Sequence, residues 1–444
     1  MTCATPFLRR LRLRRLRPAA LLVGLAFAVP AHAQLGLPRV TLPTLPRELP
    51  RVGASATPLN ETLQQGLAPL QSLRLSTVRA LLRDHADTLE ADPAGEPVRR
   101  RELILVSPAP ATLAAALDQG FALLREQAWP ELELREVVLR PPPGLPTAEA
   151  LLRLRAIDAQ LEADFNHLYT RSGAVNAAVT AAGAGPATGP RRVGLIDSGI
   201  ERGHAALRGA ELRGWGCAEA VVPTPHGTAV ASLLIGHDAA FAGVAPGSVL
   251  YAADIYCGQP TGGAVETIVQ ALAWLDREQV GVVTISLVSP ANRLLERAAR
   301  AMTQKGHLLV AAVGNDGPAA PPLYPASYAG VVGVTAVTPA RGALPEAAQG
   351  PQVMFAAPGA ELAVARSAGG YVVARGTSFA APLVAGLLAE SLPAPDAALA
   401  LLALQRVAEQ AIDLGAPGRD PVFGIGLVGE GARVAPDRVQ ARAR

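Results

Sequence analysis

The sequence predicts an α/β fold: a mostly parallel sheet with helices on both faces, preceded by a small α+β domain. Three observations predict it. From Arg191 onward, short apolar runs alternate with helical patterns, as expected for strands buried on both faces. Between about 100 and 170, shorter strand and helix patterns form a separate set. Half of the 444 residues are hydrophobic and 17% are charged, a mixture that supplies a large core and excludes disorder.

The elements follow in chain order. Residues 1–33 read as a secretory signal peptide: a basic start with six arginines from Arg9 to Arg17, an apolar "AALLVGLAFAV", and the small-x-small "AHA" before Gln34. Removing those arginines turns the formal charge from +3 to −3, so the basic patch is no argument for nucleic acid. No later segment is long and apolar enough for a stable membrane anchor; the most apolar one is broken by Glu390, Pro393, Pro395 and Asp396. The expected location is secreted or periplasmic.

Residues 34–99 read as a Pro-rich lead-in with a helical stretch near 59–84. The 100–170 domain is expected to hold strands at 101–107, 132–140 and 164–169, and helices at 111–127 and 147–158. Residues 171–190, rich in Ala, Gly, Thr and Pro, read as a linker and processing region. The domain at 191–436 carries strands at 192–197, 248–256, 281–288, 307–314 and 331–337. Its helices are expected at 227–236, 264–278, 292–305 and after Ser378. In such sheets functional groups gather at the carboxyl ends of the strands.

Four residues stand at those ends. Asp197 follows a buried strand, His226 follows Pro225 at a helix start, Asn315 sits in a glycine-flanked turn, and Ser378 opens the helix of "GTSFAAPLVAG". Each has an ordinary structural explanation: a turn cap, a packing imidazole, a turn amide and an N-cap hydroxyl. Together they make one mechanism. A serine hydroxyl needs a base, an imidazole can take and return its proton, a carboxylate orients the imidazole, and an amide stabilises an oxyanion. Chain order tests the rivals. An α/β-hydrolase places its histidine after its serine, and the last histidine here is His307. The strand–helix alternation is wrong for a β-barrel protease, leaving the order Asp, His, Ser.

The chain resembles the subtilisin-like serine proteases (subtilases) over roughly 191–435. "DSGI", "HGTAVA", "AAVGNDG" and "GTSFAAP" resemble the family's catalytic and oxyanion motifs. "GVAPGSVLYAADIY", "YPASY", "FAAPG" and "DPVFGIGLV" resemble further segments in the same order. The resemblance implies a serine endopeptidase with Asp197 as orienting acid, His226 as base, Ser378 as nucleophile and Asn315 as oxyanion donor. Its partners would be polypeptide substrates and its own propeptide, the 100–170 domain, acting as an intramolecular inhibitor. No cofactor is required for that chemistry. Family members often bind calcium for stability, and no calcium-ligand cluster is legible here. No Cys-x-x-Cys or His-Glu-x-x-His pattern suggests zinc.

Two positions depart from the family pattern: Ala229 replaces a second histidine, and Val288 replaces a glycine along a cleft strand, where it is expected to narrow the groove. His204, His237 and His307 receive no role. Cys217 and Cys257, the two cysteines left after signal removal, are expected to form a disulfide. The alternative function is a catalytically silent subtilase-fold binding protein. Silent relatives usually lose a catalytic residue, and all four are present here.

Overall fold

The computed structural model describes residues 74–171, 173–179, 191–217, 222–239 and 241–437. Residues 1–33, expected as a signal peptide, and most of the expected lead-in lie outside them. The first described element is a helix, α1 (74–84). It is followed by β1 (Leu89–Ala91), β2 (Pro97–Val106), α2 (Pro110–Asp118), β3 (Ala122–Trp129), β4 (Leu134–Arg140), α3 (Thr147–Ile157) and β5 (Ala163–His167). These strands form one antiparallel sheet in which β2 pairs with β1, β4 and β5, and β3 lies at the edge beside β4.

The helix expected over 111–127 is corrected. It ends at Asp118, and the second half is strand β3. Gly120 takes φ +86, a left-handed turn that stops a helix at little cost. The apolar pair Leu123 and Leu124 had fitted a helical period, but the segment pairs with β4 instead.

Both faces of this sheet are apolar. Leu103, Leu105, Val137 and Leu139 pack with Leu151 and Leu154 of α3. On the opposite face Ile104, Val106 and Val138, joined by Trp129 and Leu132, pack into the core of the larger domain. The near-continuous apolar "LILV" of β2 therefore reflects burial on two sides.

Past β5 the chain forms β6 (Thr170–Arg171) and β7 (Ala174–Val179), then β8 (Arg192–Asp197), β9 (Leu212–Trp215), α4 (Pro225–Ile235), β10 (Val249–Asp254), α5 (Val265–Arg277), β11 (Val282–Ile285) and β12 (Leu287–Val288). The rest comprises α6 (Arg293–Gln304), β13 (Leu308–Ala312), β14 (Val332–Val337), β15 (Val353–Pro358), β16 (Leu362–Ala365), β17 (Tyr371–Arg375), α7 (Thr377–Ala389) and α8 (Ala397–Glu409). Seven strands form a parallel sheet in the order β15-β14-β13-β11-β8-β10-β9.

The expected parallel sheet with helices on both faces is thus present. Along β13, Leu308, Val310 and Ala312 enter the core shared with α4 and α7, while Leu309 and Ala311 enter the core shared with α5 and α6. The sequence reading ran one strand over 281–288; the chain breaks it at Ser286 into β11 and β12. Residues 174–179, which composition reads as linker, form β7 in a three-stranded antiparallel sheet beside β17. Cys217 and Cys257 are joined in a disulfide. Among the described residues no helix is long and apolar enough to cross a membrane.

Candidate active site

Asp197 ends β8, an inner strand of the seven-stranded sheet, and is fully buried. Its Oδ1 accepts hydrogen bonds from the Ser198 N–H (2.7 Å) and hydroxyl (2.8 Å), which fix the carboxylate's rotation. His226 is the second residue of α4. Thr224 caps that helix, accepting from the Gly227 N–H at 3.2 Å, and Pro225 starts it. Nδ1 of His226 lies 2.9 Å from Asp197 Oδ2 and 3.0 Å from Oδ1. An ionised carboxylate there selects the tautomer protonated at Nδ1 and leaves Nε2 as the basic nitrogen. Gly227 is required by close approach: a Cβ would stand 2.2 Å from the carbonyl oxygen of Ser198.

Ser378 is the second residue of α7. Gly376 precedes this helix with φ +134, a conformation that favours glycine. The Ser378 hydroxyl donates to the Ser286 carbonyl (3.3 Å), and the Ser286 hydroxyl donates to the Ser378 carbonyl (3.0 Å). These reciprocal bonds tie the helix start to the break between β11 and β12. Asn315 follows β13; its Oδ1 accepts from the Thr377 N–H at 3.0 Å. Gly314 N–H donates to Thr377 Oγ1 at 3.2 Å. His226 stands 5.5 Å, ring to ring, from Phe379. His226, Asn315 and Gly376 line one cleft of about 440 Å³, together with Arg74, Arg171, Gly173, Asp316, Glu346 and Arg375.

Residues 168–171 cross this cleft. Leu168 bridges Ala264, and the Tyr169 N–H donates to the Gly263 carbonyl at 2.9 Å. On the other side β6 pairs antiparallel with β12, Thr170 opposite Val288 and Arg171 opposite Leu287. Within the cleft, a Cβ on Gly173 would lie 2.8 Å from the Phe379 ring, and a Cβ on Gly376 would lie 2.8 Å from the Gly173 Cα. Val288 is fully buried at this crossing. Ala229 is buried within α4.

The remaining histidines lie elsewhere. His204 contacts the Gly370 carbonyl (2.7 Å) and the Tyr371 ring. His307 is buried between the Val280 carbonyl and Asp276, each at 2.8 Å. His237 is exposed. Among the described residues, the one set of three His, Cys, Asp or Glu side chains close enough to share a metal is Cys217, Asp254 and Cys257. Its sulfurs are joined to each other, and calcium takes six to eight oxygen ligands; the set does not fit that ion.

Sequence reasoning missed several residues that shape the site. Ser198, Thr224 and Ser286 orient the three central groups, and Arg74 with Asp316 closes one wall. A further charge cluster lies where the N-terminal sheet meets α5. Arg125 is shared between Glu102 (2.7 Å) and Glu266 of α5. Asn166 donates to Glu102 at 2.8 Å. Beside them Glu136, 1% exposed and with one oxygen lacking any hydrogen bond among the described residues, is pushed up to about 8. Burial is the main cause, the Glu266 and Glu102 charges add to it, and Arg125 opposes it.

A carboxylate, an imidazole and a hydroxyl in the order Asp, His, Ser, set at strand ends and helix starts of a covered parallel sheet, define an α/β class that the comparisons identify. Residues 191–426, more than half of the chain, match the Subtilase family, and the chain belongs to that family. It is 31% identical over 206 residues to minor extracellular protease Epr of Bacillus subtilis (strain 168), covering 46% of this chain and 32% of that one. It is 31% identical over 250 residues to the thermostable alkaline protease of Halalkalibacterium halodurans, covering 54% of this chain and 66% of that one. The chain thus spans less than two thirds of the length of either relative. The crystal structure of fervidolysin from Fervidobacterium pennivorans shares the fold, with a TM-score of 0.61 at 16% identity, over 79% of this chain and 62% of that one.

Proposed function

We propose that the protein is an exported serine endopeptidase, made as a precursor, that hydrolyses peptide bonds through Asp197, His226 and Ser378 with Asn315 as oxyanion donor. His226 Nε2 takes the Ser378 proton as Oγ attacks the scissile carbonyl, while Asp197 holds the Nδ1–H and stabilises the imidazolium. The tetrahedral oxyanion is met by the Asn315 amide and the Ser378 backbone N–H at the positive end of α7. His226 then returns the proton to the leaving amine. Water repeats the sequence on the acyl-enzyme.

The observation that carries this reading is the path of the protein's own chain. Residues 168–171 add as a strand between residues 263–264 and β12, the main-chain mode by which an extended peptide is recognised. Arg171 pairs with Leu287, next to the Ser286 that bonds Ser378, and Gly173 lies against Phe379. The processing region that begins at Arg171 is therefore led towards the nucleophile. On this reading the 100–170 domain inhibits by occupying the groove until the chain is cut within 171–190. The extracellular name of the Bacillus relative and the signal-like start support export.

The test is labelling by a serine-directed fluorophosphonate. Wild type should be labelled at Ser378 and mature to a shorter chain; Ser378→Ala should remain unlabelled and, apart from signal removal, full-length in a host lacking other proteases. Undiminished labelling of the variant would overturn the assignment, and a correctly folded wild type that is never labelled would favour the silent binding protein.

A further inference from the structure

We propose that Thr224 is a positioning residue for the hydrolysis: through Ser198, its hydroxyl fastens the loop that carries Asp197 to the helix that carries His226. The proposal rests on the hydrolase reading above. Thr224 precedes Pro225, a neighbour that disfavours helical backbone, and takes φ −125 and ψ 154 as the N-cap of α4. In that conformation its Oγ1 stands where two elements meet. On one side it accepts from the Gly227 N–H at 3.2 Å, in the first turn of α4. On the other it lies 2.6 Å from the Ser198 Oγ and 3.3 Å from the Gly199 carbonyl. The Thr224 N–H donates to that same carbonyl at 2.9 Å.

The hydroxyl protons here run one way. An ionised Asp197 can only accept, so the Ser198 hydroxyl places its single proton on Oδ1, at 2.8 Å. The Ser198 oxygen is then an acceptor, and the donor facing it is the Thr224 hydroxyl; the Gly199 carbonyl is the more distant alternative. Thr224, Ser198 and Asp197 thus form a hydrogen-bonded series ending on a charge, in which each bond strengthens the next. The carboxylate has reason to need such donors. Asp254 of β10 stands in register beside it, and its carboxyl is raised by burial, with the Asp197 charge adding to the effect. The same Thr224 oxygen therefore supports the carboxylate and fixes the helix start of which His226 is the second residue. Losing it loosens both sides of the 2.9 Å contact between Asp197 and His226. That contact matters most when the imidazole becomes a cation on the way to the tetrahedral intermediate, so the loss falls on kcat. Thr224 also borders the groove beside residues 168–171, and a valine keeps its outline there.

The experiment uses enzyme produced from the full chain, its active sites counted by fluorophosphonate titration and its fold checked by Tm. kcat and KM are measured on a chromogenic peptide amide that the wild type cleaves. Thr224→Val should lower kcat by roughly 10- to 100-fold, the range for a lost hydrogen bond in a charged network, and leave KM within about threefold. Thr224→Ser keeps the hydroxyl and should recover most of kcat. Ser198→Ala should lose about as much as Thr224→Val, and the double variant little more than either alone, because the two hydroxyls act as one series. An unchanged kcat in Thr224→Val, a loss confined to KM, no recovery in Thr224→Ser, or losses that multiply in the double variant overturns the positioning role and leaves the hydrolase reading standing. If the valine variant does not fold, Ser198→Ala, which leaves the cap of α4 in place, carries the test: an unchanged kcat there overturns the series. Absence of labelling in folded wild type overturns both readings.

Discussion

Replacing Glu136 by glutamine should strengthen the grip of the N-terminal sheet on the larger domain, and most of all at alkaline pH. In the assembled chain this carboxyl is raised from an ordinary 4.5 to about 8; once the sheet lifts away it returns to water and its ordinary value. The bound form therefore favours the protonated acid. The stabilising protonation is fully present below the ordinary value and is lost as pH rises towards 8. Between those limits each pH unit weakens the contact by about 1.4 kcal/mol at most. At pH 7, roughly two and a half pH units above the ordinary value, the accumulated penalty has an upper bound of about 3.4 kcal/mol, and local relaxation lowers it. Glutamine keeps the shape of the protonated acid and cannot ionise. The groups facing Glu136 are Glu102 and Arg125 of its own sheet and Glu266 of α5; Arg125 stays charged and, against the opposing effect of burial, holds the Glu102 carboxyl below its ordinary value. Trp129, 3% exposed and packed in the same core, reports the separation by fluorescence. In full-length Ser378→Ala protein, the urea midpoint for that signal should fall from pH 5.5 to 8.5, and adding Glu136→Gln should flatten the fall and raise the midpoint at pH 8. Equal slopes in the two proteins would refute the reasoning.

Asn315→Ala should lower kcat by about 100- to 1000-fold with little change in KM, the size known for one oxyanion-hole donor in a subtilisin; an unchanged kcat would leave Asn315 as a turn residue. Cys217→Ser opens a link between residues 40 apart and should cost about 4 kcal/mol by chain entropy, read as a lower Tm under non-reducing conditions. Thermal curves that coincide for the two proteins would contradict that figure.

Much of the fold was legible because strands buried on both faces leave long apolar runs, as in β8, β11, β13 and β14, and because Gly, Thr and Pro mark the turns where they end. Asp197, His226, Asn315 and Ser378 stood out for the same reason, each being a polar residue placed directly after such a run or at a helix start. What escaped notice depends on partners far along the chain. Strand β7 has an Ala-rich sequence with no periodicity of its own, and it becomes a strand by pairing with β17, almost two hundred residues later. The β3 segment reads as helix by its leucines and is turned by the conformation of Gly120. Arg74 and Asp316 are 242 positions apart, and no local pattern announces that they meet.

The sheet of β1 to β5, greasy on both sides, sets the direction of events that the proposed cut would start. While attached, its outer face is roofed by α5 and α6. Set free, the same piece would present Ile104, Val106, Trp129, Leu132 and Val138 to water as one contiguous patch, a condition that favours local opening and clumping over solubility. An opened, extended peptide is also the form a protease digests most readily. Under the proposed cleavage, maturation would behave as a ratchet: the departing fragment would deteriorate once released, and re-docking would lose its partner to degradation faster than mass action could restore it.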